Sequence, residues 1–134
     1  MSPRALVDRL LEADETEDMP ASINKSWIGV DLDGTLAEYH GWKGGDKIGK
    51  AVKPMLERVK KWIKDGHTVK IFTARVSDPE NIPHIEKWLK RHKLEGLEIT
   101  NVKDMDMVAL YDDKCVGVEP NTGKLLSELP PPIS

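Results

Sequence analysis

Short runs of strand character that end in polar residues alternate with segments of helical period along this 134-residue chain, and few folds accommodate that alternation. Trp27 to Val30, Val69 to Phe72, Leu97 to Ile99 and Met107 to Tyr111 read as strands, with Val116 to Val118 a candidate fifth. Between the first two, Pro54 to Asp65 repeats Met55, Leu56, Val59, Trp62 and Ile63 at the helical period. Pro54 fits the first turn, and Gly66 is placed to stop the helix. Pro83 to Arg91 repeats the pattern with Ile85, Trp88 and Leu89. Strands that alternate with helices join by right-handed crossovers into a parallel sheet. The expected fold is therefore α/β, a single Rossmann-like three-layer domain with a short parallel sheet of four to five strands. Sites in such sheets form beyond the carboxyl ends of the strands.

The size suits one domain with one core. Residues 4 to 12 carry Leu6, Val7, Leu10 and Leu11 on one helical stripe, and Glu12, Asp14, Glu15, Glu17 and Asp18 follow as a mutually repelling acidic run. Residues 1–24 are thus expected to form an appended helix and linker, residues 25–129 the domain, and residues 130–134, with Pro130, Pro131 and Pro132, an extended tail. A hydrophobic content of 39%, a charged content of 32% and a mean hydropathy of -0.47 predict a soluble protein with no membrane partner. The formal net charge of -3 supplies no global basic field, so any nucleic-acid contact is local. One cysteine, Cys115, excludes an internal disulfide and a cysteine-built zinc site. With no secretory pattern at the N-terminus, the expected location is cytoplasmic. The oligomeric state stays open.

The chemistry is concentrated at predicted strand ends. Asp31 and Asp33 stand two residues apart where the first strand finishes, and a strand's period of two aims both side chains to one side. Such a pair repels itself unless a cation neutralises one member or a proton is shared for catalysis. An Asp-rich turn with Gly34 at an unusual backbone angle is the plainer alternative. Thr73 follows the second strand, Lys103 the third, and Asp112-Asp113 the fourth, so carboxylates, hydroxyl and ammonium would converge on one sheet edge.

In Asp31-Leu32-Asp33-Gly34-Thr35, Thr73, Lys103 and Asp112-Asp113, residues 27 to 118 resemble the haloacid dehalogenase superfamily of phosphohydrolases, with its four motifs in order. The resemblance implies a Mg²⁺-dependent phosphatase. Asp31 would attack phosphorus to give an aspartyl-phosphate, and Asp33 would serve as general acid and then base. Thr73 would hold phosphoryl oxygens and Lys103 would balance charge. The implied Mg²⁺ set is Asp31, the Asp33 carbonyl, Asp112 and Asp113, with Gly34, Thr35, Ala74 and Arg75 around the phosphate. Residues 36–72 and 74–102 leave room for one helix each and no cap domain, so the site is expected to be open and to accept a small molecule or a macromolecule. A nucleotide or a polynucleotide end is among the candidates.

Tyr39 to Lys50 would then be a short flap, with Trp42, Lys43, Lys47 and Lys50 set to contact substrate; an exposed loop with solvated lysines is the alternative. Gly44 to Ala51 imitates a phosphate-binding loop but lacks its final hydroxyl and follows no strand. His40, His67, His84 and His92 share no ligand spacing, and Cys115 is expected to be a small buried residue. A non-catalytic phosphate-binding or regulatory module on the same fold is the competing reading, against which the retention of both Asp31 and Asp33 weighs. A receiver domain would place its acidic pair first and its phosphoacceptor in mid-sheet, an order this chain lacks.

Overall fold

A computed structural model of the chain describes residues 25–127. The helix and linker expected over 1–24 and the tail over 130–134 lie outside the described residues. Four strands, β1 (Trp27–Asp31), β2 (Thr68–Phe72), β3 (Glu98–Thr100) and β4 (Met107–Tyr111), form an all-parallel sheet in the order β3-β2-β1-β4. Two helices, α1 (Lys53–Lys64) and α2 (Ile82–Arg91), make the crossovers from β1 to β2 and from β2 to β3. The α/β reading holds, as do all four principal strands to within a residue at each end.

The helices begin and end for local reasons. Pro54 and Pro83 occupy first-turn positions where a missing N–H costs nothing, and Gly66 reverses the chain after α1 at φ 93°. From α1, Met55 and Val59 are buried; from α2, Ile85, Trp88 and Leu89 are. Both sets join Ile28, Val30, Val69 and Ile71 in one cluster, so both helices pack against the same sheet face. Val30, Leu32, Leu36, Val59, Ile71 and Ile85 are fully inaccessible. Burying a side chain of this size stabilises by about 1.5–3 kcal/mol, and a slip of one residue would turn β1's apolar set away from the helices. The described helices supply one of the two helical layers expected around the sheet.

Three expectations need correcting. Val116 to Val118 adds no fifth strand: only Asp112 to Cys115 separate it from β4, too few residues for a parallel crossover. Val118 instead makes an isolated antiparallel bridge to Leu125 across a turn in which Asn121 takes φ 66°. Ile63 lies at the edge of the α1 stripe and is 38% exposed. Cys115 is exposed too, because the turn after β4 carries it off the sheet and away from the core.

Past β1 the chain makes a tight loop through Leu32 to Ala37, with the Leu36 and Ala37 amides both donating to the Leu32 carbonyl. It then leaves as the flap. An antiparallel bridge of Ala37 to Ala51, with Glu38 N–H to the Lys50 carbonyl at 2.8 Å, closes the flap at its base. The Trp88 indole N–H of α2 donates to the Gly49 carbonyl at 2.9 Å and seats the flap on the domain. The glycine-rich stretch 44–51 is part of this flap and follows no strand, so it lacks the setting of a nucleotide phosphate loop.

Candidate active site

β1 lies between β2 and β4, so a residue at its carboxyl end is flanked by the ends of both neighbours. Asp31 closes β1, Thr73 directly follows β2 and Asp112 directly follows β4. They share a cleft of about 590 Å³, whose lining also includes Asp33, Tyr39, Trp42 and Arg75. Parallel pairing alone achieves this convergence, because every strand in such a sheet ends on the same edge.

Among the described residues, Asp31, Asp112 and Asp113 form the group able to share a metal ion, with one carboxylate oxygen from each within 4.8 Å of the others. Burial, a hydrogen bond with Asp113 and the charges of Asp112, Asp113 and Asp33 push the Asp31 carboxyl up to about 8. A set of hard oxygen donors under mutual repulsion fits Mg²⁺. Thr35 ties the group together. Its hydroxyl lies 3.4 Å from Asp31 Oδ2 and 3.2 Å from Asp113 Oδ1, and it accepts the Asp113 backbone N–H at 2.9 Å. Gly34 makes room for this arrangement twice over. It adopts φ 90°, and a Cβ there would overlap the Asp113 carboxylate.

Asp33 is committed differently. Its two carboxylate oxygens accept from Arg75, Oδ2 from Nε at 2.7 Å and Oδ1 from Nη2 at 2.9 Å. Arg75 thus holds the Asp33 carboxylate in a fixed orientation with one bond to each oxygen, and the second lone pair of each oxygen is not used by these bonds. Thr73 is buried, and its hydroxyl accepts the Arg75 backbone N–H at 3.2 Å, which frees its own hydrogen for an acceptor in the cleft. Ala74 lines the same wall.

The remaining expected residues divide. Trp42 lines the cleft and remains 59% exposed, with the Arg75 guanidinium 4.7 Å from its ring centre. Lys43 and Lys47 line a separate depression on the flap, and Lys50 lines neither; all three side chains are exposed. Lys103 is exposed in the connection from β3 to β4 and does not line the cleft. Its neighbour Asp104 is drawn to the start of β1, where it accepts the Trp27 indole N–H at 2.8 Å. The cleft's lysine is Lys114. The four histidines join no metal-binding group among the described residues.

Sequence reasoning missed the pairing of Asp33 with Arg75 and the contributions of Tyr39, Asn81 and Lys114. The first is set by strand register: Asp31 pairs with Phe72, so residues two or three beyond each strand end come level and Arg75 meets Asp33, and sequence pattern alone does not supply that register. Lys114 had a weak signal, its position just after the Asp112-Asp113 pair. Among the described residues, no helix is long and apolar enough to cross a membrane.

No family model matches the chain, and no curated protein matches it. Among solved structures it is similar to one described as a conserved protein from Bacteroides thetaiotaomicron. The two share 22% identity and a TM-score of 0.55, over 71% of this chain and 81% of that one, a likeness of fold.

Proposed function

We propose that this chain is a Mg²⁺-dependent phosphohydrolase of the haloacid dehalogenase type, acting on phosphomonoesters through an aspartyl-phosphate. The observation that carries the reading is the grouping of Asp31, Asp112 and Asp113 within 4.8 Å at the strand ends, with Asp33 and Thr73 in the same cleft. Asp31, Asp112 and Asp113, with the Asp33 carbonyl, would hold Mg²⁺, which when bound offsets the repulsion between a carboxylate and a phosphoryl group.

In the first half-reaction an Asp31 oxygen bonds to phosphorus, the ester P–O bond breaks, and Asp33 gives its proton to the departing alkoxide. In the second, Asp33 takes a proton from water as that water attacks phosphorus. The P–O bond to Asp31 breaks, and inorganic phosphate leaves. Thr73 donates its hydroxyl hydrogen to a phosphoryl oxygen, and Lys114, an exposed lysine of the cleft lining, would balance the developing charge. The open cleft, with an exposed indole at its mouth, admits a nucleotide or a polynucleotide end. The protein's place would be the cytoplasm.

Hydrolysis of p-nitrophenyl phosphate by the full chain tests the reading. Release of nitrophenol is expected with Mg²⁺, to stop with excess EDTA, and to fall at least about a thousandfold in Asp31→Asn, the scale of losing a nucleophile. Turnover that survives either treatment would overturn it.

A further inference from the structure

Arg75 ties two parts of the molecule that the sequence separates by tens of residues. Its Nε and Nη2 hold both oxygens of Asp33, at 2.7 and 2.9 Å. Nη2 also donates to the Lys47 carbonyl at 2.9 Å, and Nη1 donates to the Gly45 carbonyl at 3.2 Å. Of the five N–H donors a guanidinium carries, four are engaged, so little of Arg75 remains for a substrate anion. Above it the Trp42 ring completes the contact. The arginine side chain is 4% exposed and sits between the flap and Asp33.

The backbone of Arg75 is itself fixed. Its N–H donates to the Thr73 hydroxyl, and its carbonyl accepts from Asn81 Nδ2 at 3.0 Å. Asn81 reaches the flap from the other direction, since a Cβ at Gly45 would overlap its Oδ1. The flap is thereby seated against a rigid wall, and the side chain that seats it also aims Asp33.

We infer that Arg75 is a positioning residue that couples the flap to Asp33, so that the flap's seat and the reach of the general acid are set together. This rests on the phosphohydrolase reading. A leaving group that meets Trp42 and the flap then acts on the orientation of the group that protonates it. Proton transfer to a leaving group depends on alignment to a fraction of an ångström, whereas attack by Asp31 does not pass through Arg75. Specificity among leaving groups would follow from this tether. A lysine could not replace it, because one ammonium cannot grip both Asp33 oxygens and two carbonyls at once.

The test compares p-nitrophenyl phosphate, whose leaving group needs little protonation, with glycerol 2-phosphate, whose leaving group needs much. Arg75→Lys is expected to lower kcat on glycerol 2-phosphate by about 100-fold and on nitrophenyl phosphate by about tenfold or less. In an Asp33→Asn background the same change should cost less than about threefold on either, because residues acting as one unit are not additive. Gly45→Ala, which keeps both Asp33 and Arg75 but presses on Asn81 Oδ1 and shifts the flap carbonyl that Arg75 holds, should show the same selectivity and decides the matter should Arg75→Lys not fold. Equal losses on both phosphates, or losses that multiply in the Asp33→Asn background, would overturn the coupling. Wild-type chain inactive on both substrates would instead sink the phosphohydrolase reading. The flap's tether is then read by trypsin, with cleavage after Lys43 and Lys47 expected to quicken about tenfold in Arg75→Lys if local opening governs it. An unchanged cleavage rate would refute that tether.

Discussion

Replacing Asp31 by Asn should make the metal-free protein more stable while removing its activity. The Asp31 carboxyl is pushed from its ordinary 3.8 to about 8 by burial and by neighbouring carboxylates, so the fold resists its ionisation. Below the ordinary value the group is protonated in folded and unfolded chains alike, and nothing is lost. As pH rises from there toward 8, the unfolded chain releases the proton and the folded one keeps it, so stability falls; above 8 the loss is constant. A displacement of that size corresponds to about 6 kcal/mol at most, at about 1.4 kcal/mol per pKa unit. Asp31 is only half-buried, and a threefold discount for solvent screening leaves about 2 kcal/mol at pH 8.5 and a few tenths near pH 5. Asparagine keeps an oxygen for the Thr35 hydroxyl and carries no charge. In EDTA the variant should therefore melt higher than wild type by about 8 °C at pH 8.5, with little difference at pH 5. Circular dichroism at both pH values measures this. A variant that melts at or below wild type at pH 8.5, or a gap that does not change with pH, would refute the reasoning.

Further outcomes are expected at neighbouring positions. Gly34→Ala combines an unfavourable backbone angle with an overlap on the Asp113 carboxylate, and should cost about 1–3 kcal/mol in stability and abolish the Mg²⁺-induced rise in melting temperature. A calorimetric scan with and without Mg²⁺ checks it. Lys114→Ala should lower kcat by about tenfold or more while Lys103→Ala changes it less than about twofold, since Lys114 alone of the two lines the cleft; steady-state kinetics on nitrophenyl phosphate discriminate them. Replacing Lys43, Lys47 and Lys50 together by Ala should leave kcat nearly unchanged. For a polynucleotide substrate it should raise KM and flatten the salt dependence, and a KM series in increasing NaCl reads both.

The legible parts of this molecule are those set by local period. Met55 and Val59, like Ile85, Trp88 and Leu89, recur at helical spacing and do pack on one sheet face. The placement of Asp31, Thr73 and Asp112 on one edge also followed from sequence, because parallel strands that end in polar residues leave those residues few other places to go. Illegible were the features decided between segments. Lys103 and Lys114 both follow strands and look equivalent in sequence, yet Lys114 lines the cleft and Lys103 does not. Cys115 looked like a core residue because the length of the turn after β4 was unreadable. The grip of Arg75 on Asp33 depends on the register of β1 against β2, a tertiary fact that helical period and strand alternation do not encode.

The central claim is covalent chemistry on one carboxylate, and trapping that bond tests it most directly. The full chain would be mixed with nitrophenyl phosphate and Mg²⁺, quenched in acid during turnover, reduced with borohydride and digested for mass spectrometry. An acyl phosphate at Asp31 would be reduced to homoserine at position 31, absent without substrate and absent in Asp31→Asn. Turnover with no homoserine at position 31, or with the modified residue at Asp33, Asp112 or Asp113, would contradict the account.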